Sequence, residues 1–211
     1  PPRREKMLQE GYWLNKTILD SLNEAVYQYP DKVALVSYKI EDQSEKSFTY
    51  REMLHTANKI SLGLKRLGVQ KQDIVSCQLP NWWEFTLLYI ACRRIGAVLN
   101  PLMPIFRERE LSFMLKHTET KVLIVPKVFR KFDHEKLAYQ LQKNIESLEH
   151  VVVVGGEGEN SFEKLLLNHG LDNDPQILNT LNDVTITADD IAQLVFTSGT
   201  TGEPKGVMHS A

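Results

Sequence analysis

The sequence predicts an α/β fold in which a largely parallel sheet is flanked by helices on both faces. From Ile74 onward, strand-like and helix-like segments alternate without a break. The strand-like segments are short continuous apolar runs, as strands covered on both faces require. No repeat or low-complexity tract interrupts the alternation, and each crossover must return the chain in the same strand direction.

Taken in order, Thr17 to Tyr29 places Ile18, Leu22, Ala25, Val26 and Tyr29 at helical spacing and stops at Pro30, which cannot continue a helix. Val33 to Tyr38 reads as a strand and the polar tract Glu41 to Ser47 as a turn or loop. Tyr50 to Leu67 is helical through Leu54, Ala57, Ile60, Leu64 and Leu67, with Gly68 as the C-terminal cap. Ile74 to Leu79 is a strand. Asn81 offers an N-cap oxygen and Glu84 the returning carboxylate of a capping box, so Trp82 to Ile95 is expected to be a helix ended by Gly96. There follow a buried strand Ala97 to Pro101, a helix Glu108 to His117, a strand Lys121 to Val125, a helix His134 to Ser147, a strand His150 to Val154 and a short helix Ser161 to Leu167. A polar connector, Asn168 to about Asp183, leads to a last buried strand, Ile191 to Thr197, and Val207 to His209 reads as strand again.

Composition narrows the function classes. The 211 residues carry a formal net charge of -2 with both signs interspersed, which supplies neither a basic footprint for nucleic acid nor a polybasic membrane anchor. No apolar run reaches the roughly 20 residues that would cross a bilayer, and the charged start Arg3-Arg4-Glu5 leads into polar sequence, so a cytoplasmic protein without a transmembrane segment is expected. Cys77 and Cys92 lie in apolar stretches without CxxC spacing, which fits buried free thiols.

The chemistry is concentrated in Thr197-Ser198-Gly199-Thr200-Thr201-Gly202-Glu203-Pro204-Lys205-Gly206, directly after an apolar strand. Glycines let backbone NH groups turn toward one point, hydroxyls add neutral donors, and lysine supplies charge, which together suit a polyphosphate. A solvated turn has a similar composition. A Walker loop does not fit, because Pro204 precedes the lysine, Gly206 follows it, and the continuation is strand-like rather than helical.

Phe196 to His209, FTSGTTGEPKGVMH, resembles the phosphate loop of the adenylate-forming superfamily, which includes acyl-CoA synthetases, aryl-CoA ligases, carrier-loading adenylation domains and luciferases. Leu79-Pro80-Asn81, Ile95-Gly96-Ala97-Val98, Asn100-Pro101 and Arg109-Glu110-Leu111 resemble the segment that such enzymes carry upstream. The likeness spans roughly Gly11 to the end. Gly11-Tyr12-Trp13, with Trp82-Trp83-Glu84-Phe85, is most similar to the CoA ligases of short- and medium-chain fatty acids and alicyclic acids.

This resemblance implies an ATP-dependent acid-thiol ligase that forms an acyl-AMP and passes the acyl group to CoA, with ATP, Mg²⁺, CoA and a small carboxylic acid as ligands. It implies that Thr197, Ser198, Gly199, Thr200, Thr201 and Gly202 wrap the β- and γ-phosphates and that Lys205, the catalytic candidate, balances their charge. It also implies that the adenine-binding segment, the acidic Mg²⁺ ligand, the ribose-binding aspartate, the hinge and the C-terminal lysine lie elsewhere. Residues 1–211 are therefore expected to be an incomplete N-terminal adenylation (AMP-binding) domain, inactive alone and prone to self-association through its last apolar strand. Many members carry a histidine where Ala211 stands here.

Two other readings stay open, an adenylation domain that loads a carrier protein and a nucleotide-binding module without ligase activity. A dinucleotide oxidoreductase would need a complete glycine fingerprint, and Gly155-Gly156-Glu157-Gly158 lacks its last glycine. Trp82 and Trp83 can line an acyl pocket or pack in the core. Glu203 reads as solvent-facing and His209 as a surface or packed residue near the loop. The six histidines show no metal-ligand spacing, and Ser198 is not in a GxSxG elbow.

Overall fold

The structure, a computed structural model, describes residues 2–197 and 204–210. Its centre is a six-stranded sheet of β3 (Ile74–Cys77), β4 (Val98–Pro101), β5 (Val122–Pro126), β8 (His150–Val154), β9 (Ile191–Thr197) and β10 (Lys205–Ser210), in the order β10-β9-β4-β3-β5-β8. All neighbours run parallel except β10, which returns antiparallel along β9 and forms an edge.

Alternate strand residues feed two separate cores, as a period of two demands. Val75, Cys77, Leu99, Val122 and Ile124 join one apolar cluster with helices α2 (Ile18–Gln28), α3 (Tyr50–Arg66) and α4 (Trp83–Arg94). Leu123, Val125, Val151 and Val153 join the other, with α5 (Glu108–His117) and α6 (His134–Gln142). The helices thus cover both faces, as the α/β reading requires. Two further helices, α1 (Pro2–Gln9) and α7 (Pro175–Asn179), lie outside this alternation.

Several boundaries differ from the sequence-based expectation for identifiable reasons. The tract read as a loop, Glu41 to Ser47, is largely β2 (Ser44–Thr49), which pairs antiparallel with β1 (Val33–Lys39). Only Phe48 of β2 is buried, so its exposed polar residues hid the strand. The turn before it is set by Asp42, whose carboxylate accepts hydrogen bonds from the Ser44 backbone and hydroxyl at 3.0 and 2.6 Å.

Asn81 does not cap α4. Trp82 occupies the cap position without a side-chain cap bond, and Glu84 turns inward to pair with Lys39 at 2.5 Å. The capping boxes are instead Thr17 with Asp20 and Thr49 with Glu52, where backbone and hydroxyl donors hold both carboxyls below their ordinary pKa.

Helix α6 stops at Gln142 rather than Ser147, because Asn144 donates from its side chain to the Gln140 carbonyl and competes with the helical ladder. The expected helix at 161–167 is a π-helical turn, Glu163–Leu167, and the polar connector holds a 3₁₀ turn, Leu171–Asn173, and α7. Strand β9 is half-covered rather than buried, with Ala192 its one buried residue.

Helix α3 reaches the π-helical turn through a glycine. A Cβ built at Gly63 would stand 2.6 Å from the Leu165 carbonyl oxygen and 2.7 Å from the Leu166 Cα, both backbone atoms that cannot swing aside. Gly63→Ala is therefore expected to lower stability by roughly 1 to 3 kcal/mol despite the better helix propensity of alanine. Chemical denaturation checks this, and an unchanged midpoint would contradict the packing described.

Candidate functional site

Because five neighbouring strands run the same way, the loops that follow them all leave from one edge of the sheet. That carboxyl edge is where open parallel sheets place ligands. Thr197 ends β9 there, and Lys205 opens β10 directly opposite, as its partner in register. The Thr197 hydroxyl donates to the Lys205 carbonyl at 3.4 Å. Both side chains are exposed.

The two ends of the candidate phosphate loop are thereby pinned side by side at the top of a strand. Ser198, Gly199, Thr200, Thr201, Gly202 and Glu203 lie outside the described residues. His209 is exposed on β10, opposite Gln193.

The base of β9 is tied down by charged groups. Lys71 donates to the Thr185 carbonyl at 2.9 Å and to the Asp190 carboxylate at 3.0 Å. Arg93, fully buried on α4, donates through Nη1 to the Ile191 carbonyl at 3.3 Å. Its Nε and Nη2 find no partner among the described residues, and burial depresses the pKa of the guanidinium. Higher up, Phe196 packs against the α5 and α6 face and meets the His117 ring edge-on at 6.5 Å.

A cleft of about 410 Å³ opens at the same edge. Leu79 and Asn81 line it from the segment after β3, Ile105 and Arg107 from the segment after β4, and Phe129 and Arg130 from a small hairpin after β5. Since β4 lies between β9 and β3, the cleft and the candidate phosphate loop leave neighbouring strands. The hairpin pairs β6 (Val128–Phe129) with β7 (Phe132–Asp133) across a two-residue turn, Arg130-Lys131, and both turn residues have positive φ, 49° and 64°. That conformation suits glycine or asparagine and costs other residues about 1 to 3 kcal/mol each. The strained turn sets one guanidinium, Arg130, against the cleft that Arg107 also lines.

Beneath the cleft lies a buried polar pair that the sequence reading did not single out. Gln78, just past β3, donates from its amide nitrogen to the Met103 and Phe106 carbonyls at 2.9 and 3.0 Å. Two carbonyl acceptors fix the amide orientation, so its oxygen faces His134 Nδ1 at 2.9 Å and His134 carries its proton on that nitrogen. Nε2 is left buried, with no partner among the described residues. Burial, then the nearby Arg107 charge, pull the His134 pKa down to about 4. Sequence spacing gave no metal pattern for this histidine; the available signal was a lone glutamine ending a buried apolar strand just before Pro80.

The remaining candidates resolve into structure. Trp83 is core, tilted against Phe48 and edge-on to Phe162, while Trp82 meets Phe129 edge-on at 6.0 Å under the Lys39 ammonium at 4.2 Å. Cys77 and Cys92 are buried free thiols, both pushed up by burial, Cys77 to about 12. Gly155 and Gly158 form a turn with positive φ. Among the described residues no group of three or more His, Cys, Asp or Glu side chains is placed to hold a metal, and no helix is long and apolar enough to cross a membrane.

Residues 22–211 match the family described as AMP-binding enzyme. The chain is 32% identical to the medium-chain fatty-acid–CoA ligase of Escherichia coli (strain K12), over 98% of this chain and 35% of that protein. It is 28% identical to the 2,3-dihydroxybenzoate-AMP ligase of Bacillus subtilis (strain 168), over 95% of this chain and 34% of that protein. The apo structure of Mycobacterium smegmatis MbtA superposes with a TM-score of 0.80 at 26% identity, covering 100% of this chain and 37% of that one. The chain thus spans about a third of the length of these relatives.

The buried imidazole has a measurable consequence. Folded, His134 stays neutral down to about pH 4, whereas in the unfolded chain it takes a proton near its ordinary 6.5. As the pH falls through that window the unfolded form gains a proton that the folded form refuses, so stability falls with it. His134→Asn, which retains a donor toward Gln78, is expected to flatten that part of the stability profile. Denaturation midpoints between pH 7 and about 4 check this, and an identical slope in both proteins would contradict the neutral, buried state.

Proposed function

Because the chain belongs to the family of AMP-binding enzymes, we propose that it forms the N-terminal part of an adenylation domain in an ATP-dependent acid-thiol ligase. The acid is a small carboxylic acid, a short- or medium-chain fatty acid in the reading favoured here, and the acyl acceptor is the thiol of CoA. The observation that carries this is the pairing of Thr197 with Lys205 at the carboxyl edge of the sheet, which sets the residues that flank the candidate phosphate loop side by side.

In the reaction, a carboxylate oxygen bonds to the α-phosphorus of ATP while the bond to pyrophosphate breaks. The thiol sulfur then bonds to the acyl carbon, and AMP leaves. Negative charge grows on the departing pyrophosphate, so donors already aimed at it lower the barrier. Lys205 contributes an ammonium at the closing residue of the loop, and the Thr197 hydroxyl at its opening residue, which rests on the Lys205 carbonyl at 3.4 Å, would turn to the phosphates when they bind. Ser198, Gly199, Thr200, Thr201 and Gly202 complete the set of donors in this proposal. Mg²⁺ would arrive with the phosphates and would offset the same charge.

The cleft suits the acceptor. Arg107 and Arg130 offer two guanidinium groups for phosphate esters, and Leu79, Ile105 and Phe129 offer apolar wall for a thiol-bearing arm. A phosphopantetheine arm on a carrier protein has the same thiol chemistry and is the second reading, and one relative is named as an AMP ligase rather than a CoA ligase. Thioester formation with free CoA, in the absence of any carrier, separates the two. On β10, Val207 and Met208 are exposed along an edge of the described sheet, which supports the expectation of self-association.

In the complete protein, Lys205→Ala is expected to slow carboxylic acid-dependent ATP–pyrophosphate exchange by at least about tenfold, since a charge-assisted contact is worth roughly 1.5 to 3 kcal/mol. An unchanged exchange rate would remove the phosphate role of this residue.

A further inference from the structure

We infer that Gln78 and His134 are positioning residues that hold the cleft in its binding shape, by joining the three segments that line it through one buried hydrogen-bonded link. The inference rests on the acceptor reading of the cleft given above.

The cleft walls come from three segments that share no sheet pairing with one another. The β3 segment reaches the β4 segment through Gln78, whose two amide hydrogens go to the Met103 and Phe106 carbonyls. It reaches the hairpin through the third bond of the same side chain, from His134 Nδ1. One amide thus uses three bonds to fix two loops. A shorter or apolar side chain would leave two carbonyls and an imidazole NH without partners.

His134 ties in the hairpin from below. Its backbone NH donates to the Lys127 carbonyl at 3.1 Å, closing the base, and its ring lies edge-on to Phe132 at 4.9 Å and tilted to Phe129 at 6.4 Å. Those two phenylalanines face each other across the hairpin. Arg107, from the β4 segment, stacks its guanidinium over Phe132 at 3.9 Å, so the second and third walls also meet above the buried link. The hairpin needs such an anchor, because its Arg130-Lys131 turn holds two non-glycine residues at positive φ and a two-stranded ribbon of this length is not stable by itself. Strain of this kind persists only where surroundings fix it.

The link requires a proton on Nδ1 and so excludes the other neutral tautomer. A neutral His134 with its proton on Nδ1 satisfies Gln78; the other tautomer would set two acceptors against each other. The cost of burying Nε2 without a partner is thus tied to holding the cleft.

The test uses the complete protein with His134→Phe, which retains an aromatic ring but removes the donor, Gln78→Met, which removes all three bonds, and His134→Asn, which returns a donor near the position of Nδ1. Hydrogen–deuterium exchange is measured over residues 102–107 and 128–133. Kinetics are measured separately for acid-dependent ATP–pyrophosphate exchange, which needs no acceptor, and for thioester formation with CoA.

His134→Phe and Gln78→Met are expected to speed amide exchange at least about tenfold in the affected segments and to raise KM for CoA by a similar factor, with pyrophosphate exchange within about twofold of the parent. His134→Asn is expected to restore most of both. Amide exchange unchanged in the two segments would overturn the inference, as would equal losses in both half-reactions without rescue by asparagine. If the parent protein forms no thioester with CoA, the functional reading fails, while amide exchange still decides the positioning role.

Discussion

Parallel pairing is the constraint on which the rest of this structure depends. Strands β9, β4, β3, β5 and β8 point the same way, so their outgoing connections gather at one edge and their returns at the other. Each return must cross a face of the sheet, which places helices on both sides and buries Val75 and Leu123, from adjacent strands, in different cores. The same geometry brings the candidate phosphate loop and the cleft to one edge without any long-range device. The single reversal, β10 against β9, sets Lys205 beside Thr197.

Polar ties, most of them buried, are distributed along this frame. At the base, Lys71 and Arg93 fasten the start of β9 through Asp190 and the Ile191 carbonyl. At the carboxyl edge, Gln78 and His134 join the segments after β3, β4 and β5. Between them, Asn100, Ser76, Thr120 and Thr118 form a chain of hydrogen bonds of 2.7 to 2.8 Å across β4 and β3 toward the loop before β5. Buried polar groups of this kind give specificity more than net stability, since each must repay its desolvation.

The alternation of strands and helices was legible because continuous apolar runs such as Val122 to Val125 and Val151 to Val154 leave no other reading. The candidate phosphate loop was proposed from residue type, and the residues at its two ends, Thr197 and Lys205, fall side by side. What escaped was whatever depended on a distant partner. Ser44 to Ser47 looked like loop because its pairing with β1 is a backbone matter. Glu84 looked like a cap because Lys39, which draws it inward, lies 45 residues away. Gln78 and His134 are 56 residues apart, and neither position announces the other. The Arg130-Lys131 turn lacks the glycine or asparagine that marks such hairpins, so its strain was invisible until φ was known.

The central claim is that the connection between Thr197 and Lys205 grips the phosphates of a nucleotide. The most direct measurement is a crystal structure of the complete protein with a non-hydrolysable ATP analogue. The account predicts β- and γ-phosphate oxygens within hydrogen-bonding distance of backbone amides and hydroxyls in residues 197–205, at the carboxyl edge beside the cleft. A nucleotide bound elsewhere, with those residues turned away from its phosphates, would contradict it.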